Sequence, residues 1–162
     1  MKQEKNFLIL GVIICFTIAC IFSSLYKFSN EHLEQYSLDE NVIQTGESYF
    51  YGYDEPSVEN NHVLTITGWV APKECDLTYI DRKVLLESQG IFYALNTVAV
   101  ERGLTEFFHT GYDYTNGGIE AKCLIKDLQE NEYNLYYLVK EQDGSAYLIN
   151  LEKSINVLEG QQ

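Results

Sequence analysis

The sequence predicts an all-β fold, an antiparallel β-sandwich, preceded by one N-terminal transmembrane helix. Three observations predict it. From Phe7 to Tyr26 twenty residues carry no charge and are mostly Ile, Leu, Phe, Val, Cys and Ala. Beyond them the chain breaks into short runs of alternating apolar and polar residues, with turn residues between the runs. The 13 tyrosines sit mostly in those runs beside Val, Ile, Leu and Thr, side chains that suit a pleated, half-buried surface. Of 162 residues about 135 remain after the first segment, enough for one well-filled core.

The elements follow in order. Residues 1–28 read as a cytoplasmic tip and anchor, because twenty residues at about 1.5 Å each span roughly 30 Å, the thickness of a bilayer core. Lys2 and Lys5 before the segment, against Glu31 and Glu34 after Lys27, place the domain outside the cell. An uncleaved single-pass signal-anchor competes with a lipoprotein signal cut before Cys20, the candidate lipidation site, although the residues after Cys20 stay apolar. Residues 29–46 read as a polar stalk, with Asn30 capping a short helix that carries Leu33, Tyr36 and Leu38.

Residues 47–158 carry the sandwich, and 159–162 form a tail. Strands are expected over Glu47 to Tyr53, with Tyr49, Tyr51 and Tyr53 on one face, then His62 to Val70, Leu77 to Glu87 and Ile91 to Val98. One helical turn is expected at Leu104 to Phe108. Gly118 to Ile125 resumes the alternation, with Ile119, Ala121, Cys123 and Ile125 sharing a face. Tyr133 to Lys140 and Ala146 to Leu151 pair across Asp143-Gly144, and Ser154 to Leu158 extends that edge. Leu128, Tyr133 and Leu135 are spaced as in a tyrosine corner, whose hydroxyl ties back to upstream backbone.

Charge excludes one class of partner. Only three of the 11 basic residues and one of the 24 acidic ones lie at or before the anchor. The remainder therefore holds 8 against 23, a formal charge of −15. Such a surface repels phosphate backbones, so nucleic acid is not an expected partner. Enzyme signatures are missing too. His32, His62 and His109 lack metal-site spacing, and there is neither a nucleophile elbow nor a glycine-rich phosphate loop. The adjacent carboxylates Asp54 and Glu55 read as solvated strand-end residues, and Asp113 to Gly117 has only a faint likeness to a calcium loop. No catalytic residue, metal or cofactor is expected.

Several short motifs occur in a familiar order: Ile66-Thr67-Gly68-Trp69-Val70, Arg102-Gly103-Leu104-Thr105 with Phe107-Phe108, Gly117-Gly118-Ile119-Glu120-Ala121, and Tyr133-Asn134-Leu135-Tyr136-Tyr137-Leu138. In these the chain resembles the small immunoglobulin-like module of membrane-anchored, largely uncharacterised Gram-positive surface proteins, some of which occur beside polysaccharide-building machinery. The resemblance implies an immunoglobulin-like fold, a cell-surface location and no reaction. It also marks a departure. The family's arginine motif carries an aspartate after the arginine, whereas Gly103 and Leu104 follow Arg102, leaving Glu101 or Glu106 to replace a local Arg–Asp pair.

The remaining candidates are aromatic and thiol side chains. Trp69 is the single tryptophan. Strict alternation sets it outward with Thr65 and Thr67, where it can stack on a sugar ring. A bulge at Gly68 would instead turn it inward between the sheets. Tyr112 and Tyr114 either line a loop site or cover the open end of the sandwich. Cys75 and Cys123, an even pair in an oxidising compartment, would close a loop of 48 residues if bridged, worth about 4 kcal/mol. The expected function is an interaction or accessory module linked to assembly or display of surface polysaccharide. Its expected partners are the lipid bilayer and an envelope protein or surface glycan. A carbohydrate-binding module and a hydrolase of unrecognised type are the rivals.

Overall fold

A computed structural model of the chain describes the backbone of residues 2–60, 62–77 and 81–157, and the side chains of these except 2–10 and 27–31. The start of the third expected strand at 78–80, Leu158 and the 159–162 tail lie outside the described residues, whereas the backbone at Asn30 continues the first helix and Glu34–Tyr36 is extended, so the expected Asn30-capped helix through Leu33, Tyr36 and Leu38 does not form.

The chain opens with helix α1 (Lys2–Glu31). Every described side chain on it, from Gly11 to Tyr26, is exposed. Two of its hydroxyls bond within the helix: Thr17 Oγ1 donates to the Ile13 carbonyl and Ser24 Oγ to that of Cys20, both at 2.9 Å. Among the described residues no helix is long and apolar enough to cross a membrane. The expected span over Phe7 to Tyr26 lies within α1, and of it only the side chains of Phe7 to Leu10 are outside the description.

Two antiparallel sheets follow. The first has the order β1 (Glu34–Tyr36), β6 (Ile91–Ala94), β5 (Asp81–Ser88), β9 (Glu132–Lys140) and β10 (Ala146–Asn156). The second has the order β2 (Tyr49–Tyr53), β4 (Val63–Pro72), β8 (Gly118–Leu124) and β7 (Asn96–Val100), with β3 (Ser57–Glu59) pairing on β4 beside β2. The all-β sandwich is as expected, with ten strands among the described residues where about seven were legible. The expected strand over 91–98 is two, because Leu95 is buried where the chain leaves the first sheet and enters the second.

The alternation places the core. Leu64, Ile66 and Val70 of β4 meet Val84 and Leu86 of β5 and Leu135, Tyr137 and Val139 of β9 between the sheets. The expected stalk does not stand apart from this body. Leu33 enters the core, Glu34–Tyr36 pairs with β6, and Tyr36, Leu38 and Val42 pack over Leu85, Leu138 and Leu148 on the outer face of the first sheet. Those three leucines would otherwise be left in water, and burial at about 25 cal/mol per Å² draws the segment down onto them.

The Tyr133 ring is 1% exposed, and its hydroxyl accepts the backbone N–H groups of Gln129 and Glu130, each at 3.0 Å. This is the tie that the spacing of Leu128, Tyr133 and Leu135 predicts.

Candidate functional site

The outer face of the second sheet is covered by helix α2 (Leu104–Phe108), the one helical turn expected there. Strand β4 runs without a bulge through Gly68, so Trp69 keeps the outward side with Thr65 and Thr67 and does not enter the inter-sheet core. Sugar-stacking geometry required that side, and the inward turn at Gly68 does not occur. Trp69 is half-buried rather than free, because Ala71, Leu77, Leu104 and Tyr114 form a small second core beside it.

Two glycines make room for this arrangement. A Cβ on Gly52 would lie 2.7–2.9 Å from three atoms of the Trp69 indole, so the absent side chain lets the ring lie across β2. A Cβ on Gly68 would collide with the Tyr137 hydroxyl, which crosses from the first sheet and donates to the Gly52 carbonyl at 2.9 Å. The glycine before the tryptophan thus serves a cross-sheet hydrogen bond, not a bulge.

Aromatic rings extend outward from there. Phe108 stacks on Phe50 of β2 with centroids 4.3 Å apart and planes 10° from parallel, and lies 5.3 Å from Trp69. Phe107, edge-on to Phe108, is 72% exposed. Lys73 Nζ sits 5.6 Å above the Phe50 ring. Trp69, Arg102, Gly103, Leu104 and Phe107 line an open slot of about 250 Å³. That is just below the usual range of small-molecule sites, roughly 300–1,000 Å³, and suits one ring-sized group.

Arg102 forms the polar wall of the slot. Its Nη1 and Nη2 donate to both carboxylate oxygens of Asp54, at 2.9 and 2.8 Å, and Nη1 also reaches the Gly68 carbonyl at 3.3 Å. Thr67 Oγ1 donates to the same carboxylate at 2.8 Å. The partner of Arg102 is therefore neither Glu101 nor Glu106 but a residue at the end of β2. The guanidinium holds the Asp54 carboxyl below the usual carboxylate range, and Asp54 in turn raises the arginine. Asp54 and Glu55 also diverge. Glu55 accepts from Lys153 Nζ at 2.9 Å, so the two carboxylates serve separate ion pairs rather than one acid–base site.

The loop after α2 is fastened locally. Asp113 accepts from Thr115 N–H and Oγ1 and from Thr105 Oγ1, while Thr105 Oγ1 accepts from Tyr114 N–H at 2.7 Å. The aspartate of the faint calcium-loop likeness is thus occupied in holding the turn. Among the described residues no group of three or more His, Cys, Asp and Glu is placed to hold a metal ion.

The structure separates the two loop tyrosines. Tyr114 is 0% exposed, with its hydroxyl directed at the Lys73 carbonyl, and so belongs to the packing and not to a contact surface. Tyr112, at the surface 6.4 Å from it, remains available.

The cysteine pair is corrected. All four cysteines are free, with Cys123 buried in the core and Cys75 exposed. Cys123 pairs with Leu64 near the start of β4, whereas Cys75 lies beyond Pro72 at its other end. Eight residues of strand separate those ends by about 26 Å. Three further residues, even doubling straight back, recover only about 11 Å, and a disulfide needs Cα atoms within about 7 Å. Cys20, the lipidation candidate, is exposed on α1.

No protein-family model matches the chain, and comparison with curated proteins and with solved structures gave no match.

Proposed function

We propose that this chain is a membrane-anchored surface module in which an immunoglobulin-like sandwich presents the aromatic face of its second sheet to a surface glycan. The observation that carries the reading is the outward ring cluster of Phe107, Trp69 and Phe50 on an otherwise strongly acidic chain. An exposed ring set beside half-buried ones suits a contact surface, where aromatic side chains are enriched among hot spots. A neutral sugar suits the slot best. Its C–H face stacks on Trp69 or Phe107, its hydroxyls meet the guanidinium edge of Arg102, and it carries no negative charge to be repelled. Docking of an envelope protein through the same rings is the second reading, favoured by the exposure of Phe107.

The immunoglobulin-like assignment is supported by strand order. In their order across each sheet, β2, β4, β8 and β7 take the places A, B, E and D, and β6, β5, β9 and β10 take C′, C, F and G. Tyr133 stands near the start of the F-equivalent strand, where a tyrosine corner belongs. Anchoring is supported by the uncharged run from Phe7 to Tyr26 and by a helix whose described apolar side chains meet no cover from the rest of the chain.

The test is binding of the full-length protein, solubilised in mild detergent, to an array of neutral and charged glycans. Phe107→Ala, at an exposed site, should leave folding intact and weaken binding tenfold or more, and Trp69→Ala should weaken it further. Binding that survives both substitutions would remove the aromatic face from the account.

A further inference from the structure

Arg102 is the only charged side chain among the described residues lining the slot, and the way its guanidinium is held decides what the slot can accept. The arginine is fixed at both ends. Its backbone N–H donates to the Thr115 carbonyl at 2.9 Å, and its Nη1 and Nη2 bind the two oxygens of Asp54. Asp54 is fixed in turn, because its own N–H donates to the Thr67 carbonyl at 2.9 Å while Thr67 Oγ1 donates to its carboxylate. Neither member of the pair can turn to a ligand without giving up these bonds.

A guanidinium carries five N–H donors in one rigid plane. Two face Asp54, and the second hydrogen of Nη1 goes to the Gly68 carbonyl at 3.3 Å. Nε–H and the second hydrogen of Nη2 are left. These lie side by side on one edge of the plane and point the same way, so they suit two oxygens set close together. A carboxylate and a vicinal diol both offer such a pair. Charge separates the two. Asp54 cancels the formal charge of Arg102, and Glu106 stands at the same wall, its Oε2 3.6 Å from where a Cβ on Gly103 would lie. An anion entering the slot therefore meets no net positive charge, on a chain of formal charge −13. It must also shed its hydration, at far greater cost than a pair of hydroxyls does.

We propose that Asp54 sets the specificity of the slot: by occupying the end of the Arg102 guanidinium it leaves a neutralised fork that takes the vicinal diol of an uncharged sugar and turns away uronic acids. The proposal rests on the reading of the aromatic face as a glycan site and adds the residue that selects among glycans. The rings offer a stacking surface to any sugar, whereas Asp54 acts through Arg102 as a positioning residue. Such a role has its own signature. Losing the carboxylate changes the ratio of binding between neutral and acidic sugars, whereas a loss of structure weakens both alike.

The test uses full-length protein in mild detergent at pH 7, on an array that pairs neutral hexose oligosaccharides with the same chains oxidised at C6 to uronic acids. The native chain should bind the neutral member of a pair about tenfold more tightly. Asp54→Asn keeps the shape and removes the charge. It should narrow that preference about fivefold, through tighter binding of the acidic member, with Trp69 emission unchanged. Arg102→Lys keeps the charge and loses the fork, and should weaken neutral binding about tenfold. A native chain that binds the acidic member as well as the neutral one, a preference unmoved by Asp54→Asn, or neutral binding untouched by Arg102→Lys would overturn the proposal. If Phe107→Ala abolishes binding while Asp54→Asn leaves the preference unmoved, the glycan site stands and selection by Asp54 falls. No binding to any member overturns both.

Discussion

Removing one oxygen atom tests how the sandwich is locked. In Tyr133→Phe the buried ring keeps its place and its edge contact with Tyr93 at 6.1 Å, while the acceptor shared by Gln129 and Glu130 N–H groups is lost. Each bond contributes about 0.5–1.5 kcal/mol net, and the two donors are only partly able to find water instead. The expected loss is therefore about 2 kcal/mol, equivalent to a fall in Tm of about 5–10 °C for a domain of this size. The assay is a urea titration of the full chain in mild-detergent micelles, followed by emission of Trp69, the single tryptophan. The midpoint should fall while the slope stays constant, because the surface exposed on unfolding is unchanged. A loss below about 0.5 kcal/mol would refute the reasoning, since the hydroxyl would then be no better partner than water.

Three further outcomes are expected. The Arg102–Asp54 pair is more than a third exposed on both sides, at 35% and 45%, so Arg102→Ala should cost at most about 1 kcal/mol near pH 7. Because Asp54 is held below the ordinary carboxylate range, that contribution is complete above about pH 4 and disappears as pH falls through the lower folded value, so native and variant unfolding curves should converge on acidification. Gly52→Ala should displace the Trp69 indole, shift its emission and destabilise by about 1–3 kcal/mol, as overpacking does. Within the sandwich, maleimide should label Cys75 in the native protein. Cys123, whose thiol burial pushes up to about 12, should react only after unfolding, and a reductant should leave Tm unchanged because no bridge is present.

The sandwich was legible because its strands alternate, and the alternation also sets Trp69 outward opposite Ile66. The error came from Gly68, which suggests a bulge by sequence but is small because the Tyr137 hydroxyl passes there from another sheet. That reason lies 69 positions along the chain. The partner of Arg102 was hidden in the same way, since Asp54 is 48 residues upstream and the nearby Glu101 and Glu106 were the local candidates. Tyr112 and Tyr114 sit in an irregular loop, where no periodicity says which ring turns inward. The cysteines misled through their even number, although their places near opposite ends of β4 already separate them. Residues 29–46 were read as stalk because Leu33, Tyr36 and Leu38 fit a short helix as well as a segment that sends Leu33 into the core and lays Tyr36 and Leu38 over the outer leucines of the first sheet.

The central claim is that the aromatic face holds a surface ligand. Its most direct test is a pull-down of tagged full-length protein from mild-detergent extracts of cells that produce it, beside Phe107→Ala treated identically, with co-purifying sugars and proteins identified. The account predicts surface glycan recovered with the native chain and lost with the variant. Glycan recovered equally with both, or with neither, would contradict it.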